Sequence, residues 1–293
     1  MLEVPRSVQV DLLALRSPQR ATMLIDMLLL PPGEHVLIAF DAHSRELVRL
    51  PVAADLELLG LDPDGDHALL AWRDADTSEL VVHQIASGQQ SRVGFPVPNG
   101  LVAAATVDHH TVAALWIDDD PHDPDESVAT VSMVDLERCE LHHLWTAPGG
   151  FTAESGVACS PNRDLIAVTY NSPDDEPATV ILNRAGGVVT ELEGTESVPA
   201  SNQAWLDDHT LLCGPRSDRR LAALDIRSGH WHEYESIDVP RARMGDHLLL
   251  AEADENRTVI STATIAGTER RPWLTLDRGV LLRVAVAADE PTR

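Results

Sequence analysis

The sequence contains no lysine. All 22 of its cationic side chains are arginine, they face 47 acidic residues, and the formal net charge is −25. Without lysine there is no Schiff-base nucleophile and no phosphate-loop amine. So acidic a chain is repelled by the phosphates of nucleic acid and by anionic membrane surfaces, and neither is expected as a partner. Cysteine is scarce as well. Cys139, Cys159 and Cys213 are odd in number and include no C-x-x-C pair, so neither a disulfide framework nor a zinc knuckle fits. Aromatic residues make up 4% of the chain, and long apolar runs are missing. The most apolar stretch, "MLIDMLLL" (Met23–Leu30), is too short to cross a bilayer and carries Asp26. The first twenty residues show no basic segment followed by an apolar run, so no secretory signal is read there. These features lead us to expect a soluble, cytoplasmic protein with reduced thiols.

What the chain has in abundance is repetition. "LDPDGDHALLAWRDADTSELVVHQIASGQ" (Leu61–Gln89) lies over "CSPNRDLIAVTYNSPDDEPATVILNRAGG" (Cys159–Gly187) without a gap. Pro63 falls on Pro161, Asp66 on Asp164, Trp72 on Tyr170 and Gly88 on Gly186. "VDHHTVAALWIDDD" (Val107–Asp120) sets Trp116 at the position of Trp72, and "SPQRATMLIDM" (Ser17–Met27) aligns with "SPNRDLIAVTY". Further copies start at Asp207 and Gly245. Tight turns rich in Asp, Asn, Ser and Gly recur at Asp41, Ile85, Asp135, Asn183, Asp225 and Ile265. Such residues supply positive φ or side-chain turn bonds. The period of 40–50 residues is that of a four-stranded propeller blade.

Between the turns the runs are short, rich in Val, Leu, Ile, Thr and Ala, and without helical periodicity. The expectation is an all-β chain: a single β-propeller domain over residues 1–293, with six blades of four antiparallel strands. The approximate blades are 7–51, 52–98, 99–147, 148–193, 194–236 and 237–277. A closing strand, Gly279–Ala287, is expected to pair with the N-terminal 50 residues and so remove an exposed edge. A seven-bladed ring with a composite closing blade is the alternative. Trp72 and Trp116 should lie largely buried between blades.

The segments "LDPDGDHALLAW" and "CSPNRDLIAVTY" resemble the Ser-Pro-Asp-Gly repeats of TolB-like, WD-repeat-like β-propellers. The resemblance runs through nearly the whole chain and implies a six-bladed ring, often with a protein-binding role. It carries no catalytic residues onto this sequence. Blades five and six depart from it, with Pro215 and Glu252 at the aromatic position.

Two polar features bear on chemistry. The first is a series of Asp-His pairs, Asp66-His67, Asp108-His109, Asp208-His209 and Asp246-His247, at the turn between the first two strands of a blade. Convergent histidines suit a metal; the plainer reading is that the Asp accepts turn amides. The second is a set of loops between second and third strands, at residues 73–79, 118–126, 172–176 and 252–257. They hold fifteen acidic residues against two Arg. In a propeller equivalent loops open on one face, so Asp74, Asp76, Asp118, Asp119, Asp120, Asp123, Asp125, Asp174, Asp175 and Asp254 are the candidate binding residues. Blade five reverses the sign there with "RSDRR" (Arg216–Arg220).

A divalent cation such as calcium, or an Arg-rich partner, suits such a face. The identity of the partner, protein or small molecule, stays open. No nucleophile elbow, dinucleotide fingerprint or metalloprotease helix is present. The leading expectation is therefore a non-catalytic interaction or scaffold module. The alternative is an enzyme with Asp and His acid–base groups at the mouth of the central channel, with or without a divalent metal.

Overall fold

The computed structural model describes residues 20–29, 33–73, 78–93, 100–119, 127–148, 156–172, 174, 177–192, 204–213, 221–234, 240–253, 257–265, 268–277 and 279–287. Short apolar runs set between polar turns form 23 strands, and no helix occurs among these residues.

The strands form six antiparallel sheets arranged as a ring. Blade 1 contains β1 (Met23–Leu29), β2 (Glu34–Phe40) and β3 (Glu46–Pro51). Blade 2 is β4 (Leu56–Leu61), β5 (His67–Arg73), β6 (Ser78–Gln84) and β7 (Gln90–Val93). Blade 3 is β8 (Leu101–Thr106), β9 (Thr111–Asp119), β10 (Ser127–Asp135) and β11 (Glu140–Thr146). Blade 4 is β12 (Gly156–Cys159), β13 (Leu165–Asn171), β14 (Pro177–Asn183) and β15 (Val188–Leu192). Blade 5 keeps β16 (Thr210–Cys213), β17 (Ala222–Asp225) and β18 (His230–Glu233), with its innermost place taken by Trp205, which bridges to Leu211. Blade 6 is β19 (Ala242–Met244), β20 (His247–Ala253), β21 (Arg257–Ala263) and β22 (Arg271–Asp277). The last strand, β23 (Gly279–Val286), returns to blade 1 and pairs with β1, from Met23 opposite Val286 to Leu29 opposite Gly279. The closing strand thus pairs as its sequence predicts, and the ring has six blades rather than seven.

The innermost strands meet around the axis: β23 packs beside β4, β4 beside β8, β8 beside β12, and β19 beside β23. The core is the set of seams between blades. Because side chains alternate across a strand, one parity of β5, β9 and β13 faces the preceding blade and the other faces the next. Trp72, Trp116 and Tyr170 share one position in the repeat and all face backwards. Trp72 packs with Leu24, Leu37 and Ala39 of blade 1. Trp116 packs with Leu59, Leu69 and Leu80 of blade 2, and Tyr170 with Leu115 and Val131 of blade 3.

Trp116 is 2% exposed, as its repeat position predicts. Trp72 is only half-buried, which corrects the expectation of a largely buried ring. Its outer face is covered by a cation: the Arg92 guanidinium stacks 4.2 Å from the ring centroid, and the indole N–H donates to Asp55. Blade 5 obtains its aromatic plug elsewhere. The buried Trp205 donates its indole N–H to the Ala158 carbonyl in blade 4 at 3.0 Å.

One buried imidazole has a consequence for pH. His83, 2% exposed, sits on β6 with Nδ1 3.2 Å from the Gln90 amide nitrogen. That nitrogen donates, so the ring proton resides on Nε2, which finds no partner among the described residues. Burial holds His83 below the ordinary histidine value of 6.5. Above that value the group adds no pH dependence. As pH falls below it, the unfolded chain takes up a proton that the native state resists, and stability drops. We expect the melting temperature of the wild type to fall more steeply between about pH 7 and pH 5 than that of His83→Leu. Parallel slopes by scanning calorimetry would show that His83 does not contribute.

Candidate functional site

In each blade, second-to-third-strand connections leave at one end of the ring, and first-to-second and third-to-fourth connections at the other. These are the loop end and the turn end.

At the loop end, Asp118 and Asp119 close β9, their backbones opposite Val128 and Ser127 of β10. Asp174 occupies an exposed turn between β13 and β14. Asp74, Asp76, Asp120, Asp123, Asp125, Asp175 and Asp254 lie outside the described residues, as does the basic Arg216–Arg220 segment. Glu252, at the aromatic position of blade 6, is exposed and pairs with Arg270 at 2.9 Å. On the innermost strand β23, Val280 and Leu282 remain more than two-fifths exposed.

At the turn end the Asp-His pairs separate into different jobs. In blade 2 the carboxylate that accepts turn amides is Asp62, not Asp66: its Oδ1 takes the N–H groups of Asp66 at 2.7 Å and His67 at 2.9 Å. Its Oδ2 meets Nδ1 of His67 at 3.2 Å and faces Nδ1 of His109, from blade 3, at 3.9 Å. His109 also reaches Asp64 through Nε2 at 3.4 Å. In blade 3 Asp108 does serve as the turn acceptor, for the His110 N–H at 3.1 Å, and takes Arg184 of blade 4 at 2.7 Å. Burial pushes the Asp108 carboxyl up, but bonds from Thr111, His110 and Arg184 outweigh it and hold the group below the usual carboxylate range. In blade 5 Asp207 caps the turn, while Asp208 accepts the Asn162 N–H across the seam at 2.8 Å. The structure thus brings His67 and His109 to one carboxylate. Among the described residues no group of three or more His, Cys, Asp or Glu is placed to hold a metal ion.

Arg163 stands apart. It occupies the turn position that Gly65 holds in blade 2, and both backbones are left-handed, with φ 64° and 72°. At Gly65 the glycine is required, since a Cβ would lie 1.9 Å from the Ala21 carbonyl oxygen. In blade 4 an arginine takes the same conformation, at about 1–2 kcal/mol that glycine avoids. Its side chain is half-buried, and burial lowers its pKa against the pull of Asp108. Cys159 nearby has its thiol pushed up to about 12 by burial, so it is not a thiolate at neutral pH.

A buried polar chain lies in the seam between blades 1 and 2. Asp26 is 1% exposed and His35 8%. His35 Nδ1 donates to the Ala53 carbonyl at 3.0 Å, and Nε2 meets Asp26 Oδ1 at 2.5 Å. Asp26 Oδ2 accepts the Leu58 N–H at 3.3 Å. Arg283, opposite Asp26 on β23, pairs with Glu57 and donates to the Leu58 carbonyl at 3.4 Å. Every member is held by an internal partner, so the chain ties the closing strand to blade 2 and offers no open acid or base.

The sequence reading missed both Arg163 and the partners of Asp26. A charge inside "MLIDMLLL" signals a buried partner, and an Arg aligned on a turn glycine signals strain.

No family model and no curated protein matches this chain in sequence. Solved structures do match in shape. TolB from Acinetobacter baumannii superposes with a TM-score of 0.66 at 14% identity, over 91% of this chain and 66% of that one. This is the fold of the TolB-like β-propellers. A putative TolB from Agrobacterium tumefaciens gives 0.55 at 13% identity, over 88% and 91% of the two chains. A chain of a nidogen/laminin complex gives 0.58 at 11%, over 90% and 98%. The TolB-like ring here therefore spans just under two thirds of the A. baumannii protein.

Proposed function

We propose that this TolB-like propeller is a non-catalytic interaction module, and that its loop end is the surface that receives the partner. The observation carrying the reading is the common exit of the acidic loops: β9 ends in Asp118 and Asp119 at the same end as the exposed Asp174. A rigid ring with variable loops suits recognition without special chemistry. One structural neighbour is part of a complex between two proteins, which agrees with such a role. Carboxylates within a screening length of about 8 Å repel one another unless a cation or an arginine-rich surface meets them. The partner is thus cationic, either a hard divalent ion or an Arg-rich protein segment. The three free thiols suit a reducing, cytoplasmic setting.

Thermal unfolding with calcium, with magnesium and with chelator tests for an ion, because a ligand of the native state raises the midpoint. Binding of an oligo-arginine peptide, with and without reversal of Asp118, Asp119 and Asp120 to Arg, tests for a basic segment. We expect the reversed variant to bind at least about tenfold more weakly at low salt, with the difference shrinking as salt is added. A protein indifferent to ions, peptide and charge reversal alike would remove the loop end as the interaction surface.

A further inference from the structure

The opposite end of the ring carries a feature that the acidic loops do not explain. Arg163 makes no ion pair and no side-chain hydrogen bond among the described residues, although it is half-buried. Its neighbours are already engaged. Arg184 donates to Asp108 at 2.7 Å, and Asp64 meets Arg20 at 3.5 Å and His109 at 3.4 Å. Turns from three successive blades meet at this end: Arg184 of blade 4 holds Asp108 of blade 3, His109 of blade 3 reaches Asp64 of blade 2, and the Arg184 N–H donates at 3.1 Å to the carbonyl of Asp164, next to Arg163. Blades 2 and 6 place Gly65 and Gly245 at this position with left-handed backbones, whereas blade 4 bears the strain of a left-handed arginine whose guanidinium makes no ion pair or side-chain hydrogen bond among the described residues. Uncompensated strain and an unpaired guanidinium together mark a functional position rather than a structural one.

We propose that Arg163 is the anchor of a binding site at the turn end that takes a single carboxylate. The planar fork of a guanidinium matches a carboxylate in a bidentate pair. The carboxylates of Asp64 and Asp108 at this end of the ring disfavour a doubly charged phosphate more than a singly charged carboxylate. The site is independent of the loop end and stands or falls separately from it.

The test follows the arginine Nε–H resonances by NMR as sodium acetate, triglycine, triglycine amide or inorganic phosphate is added at constant ionic strength. The Arg163 signal is identified by its absence in Arg163→Gly. That variant places at the left-handed turn the glycine that blades 2 and 6 carry there and should melt at or above the wild-type temperature, so misfolding cannot mimic loss of binding. We expect a saturable shift of the Arg163 signal with acetate and with triglycine, and none with the amide. In Arg163→Lys the neighbouring Arg184 signal should need about tenfold more acetate to move, since a lysine cannot form the paired bonds. A shift that only drifts linearly, as with sodium chloride, would overturn the site. Saturation by phosphate at lower concentration than by acetate would overturn its assignment to carboxylates.

Discussion

Asp26→Ala should lower stability by about 3–5 kcal/mol, because it strands buried groups that the carboxylate holds, at about 1–3 kcal/mol each. The loss has three sources. His35 Nε2 is left without its partner at 2.5 Å, and the Leu58 N–H loses its acceptor. Arg283, opposite on β23, loses the carboxylate charge that offsets its own burial. Urea unfolding should show the drop as a shift in midpoint with an unchanged slope. Replacing both partners with apolar side chains, Asp26→Leu with His35→Phe, should destabilise less than Asp26→Ala alone, because no polar group is then stranded between the two. If the single variant loses less than about 1 kcal/mol, water reaches the seam and the chain is not sealed.

Trp116→Ala comes next, at about 3–5 kcal/mol, through loss of a large side chain and the cavity it leaves between blades 2 and 3. The ring is 2% exposed and surrounded by Leu59, Leu69, Leu80 and Leu101, so little can collapse into the gap without moving strands. Trp72→Ala should cost less. Part of that ring already meets solvent, and the Arg92 guanidinium that covers it can hydrate when released. Equal losses at the two sites would contradict the difference in their burial.

The pair of tryptophans also shows why the ring was readable from sequence while its polar interior was not. A blade is made by local rules: turn residues every 40–50 positions, two-residue alternation between them, and one aromatic at a fixed place. All three survive as pattern in a single chain. Asp26, His35 and Arg283 obey no local rule, since Arg283 and Leu58 are 225 positions apart and meet only because the ring closes. The odd Asp26 was visible, its partners were not. The Asp-His series misled in detail because the turn's acceptor is chosen by backbone geometry: Asp62 rather than Asp66 in blade 2, Asp207 rather than Asp208 in blade 5. Arg163 was legible in principle. It lies on Gly65 in the gapless repeat alignment, and a bulky residue at a glycine turn position is a local conflict of the kind that marks functional sites.

The pairing of β23 with β1 imposes an order of events on the ribosome. β1 emerges first, but its inner-edge partner is made more than 250 residues later, from Gly279 onward. At ordinary rates of translation that is a wait of roughly 10–50 s. Throughout it, Met23, Ile25 and Met27 have neither β23 nor blade 6 to cover them. A nascent chain stalled before Gly279 would therefore present an apolar strand edge to whatever is near, including a second nascent chain on the same message. Asp26, in the middle of that edge, is then a charge on an otherwise sticky ribbon, a deterrent to mispairing before it becomes a fastening within the finished ring.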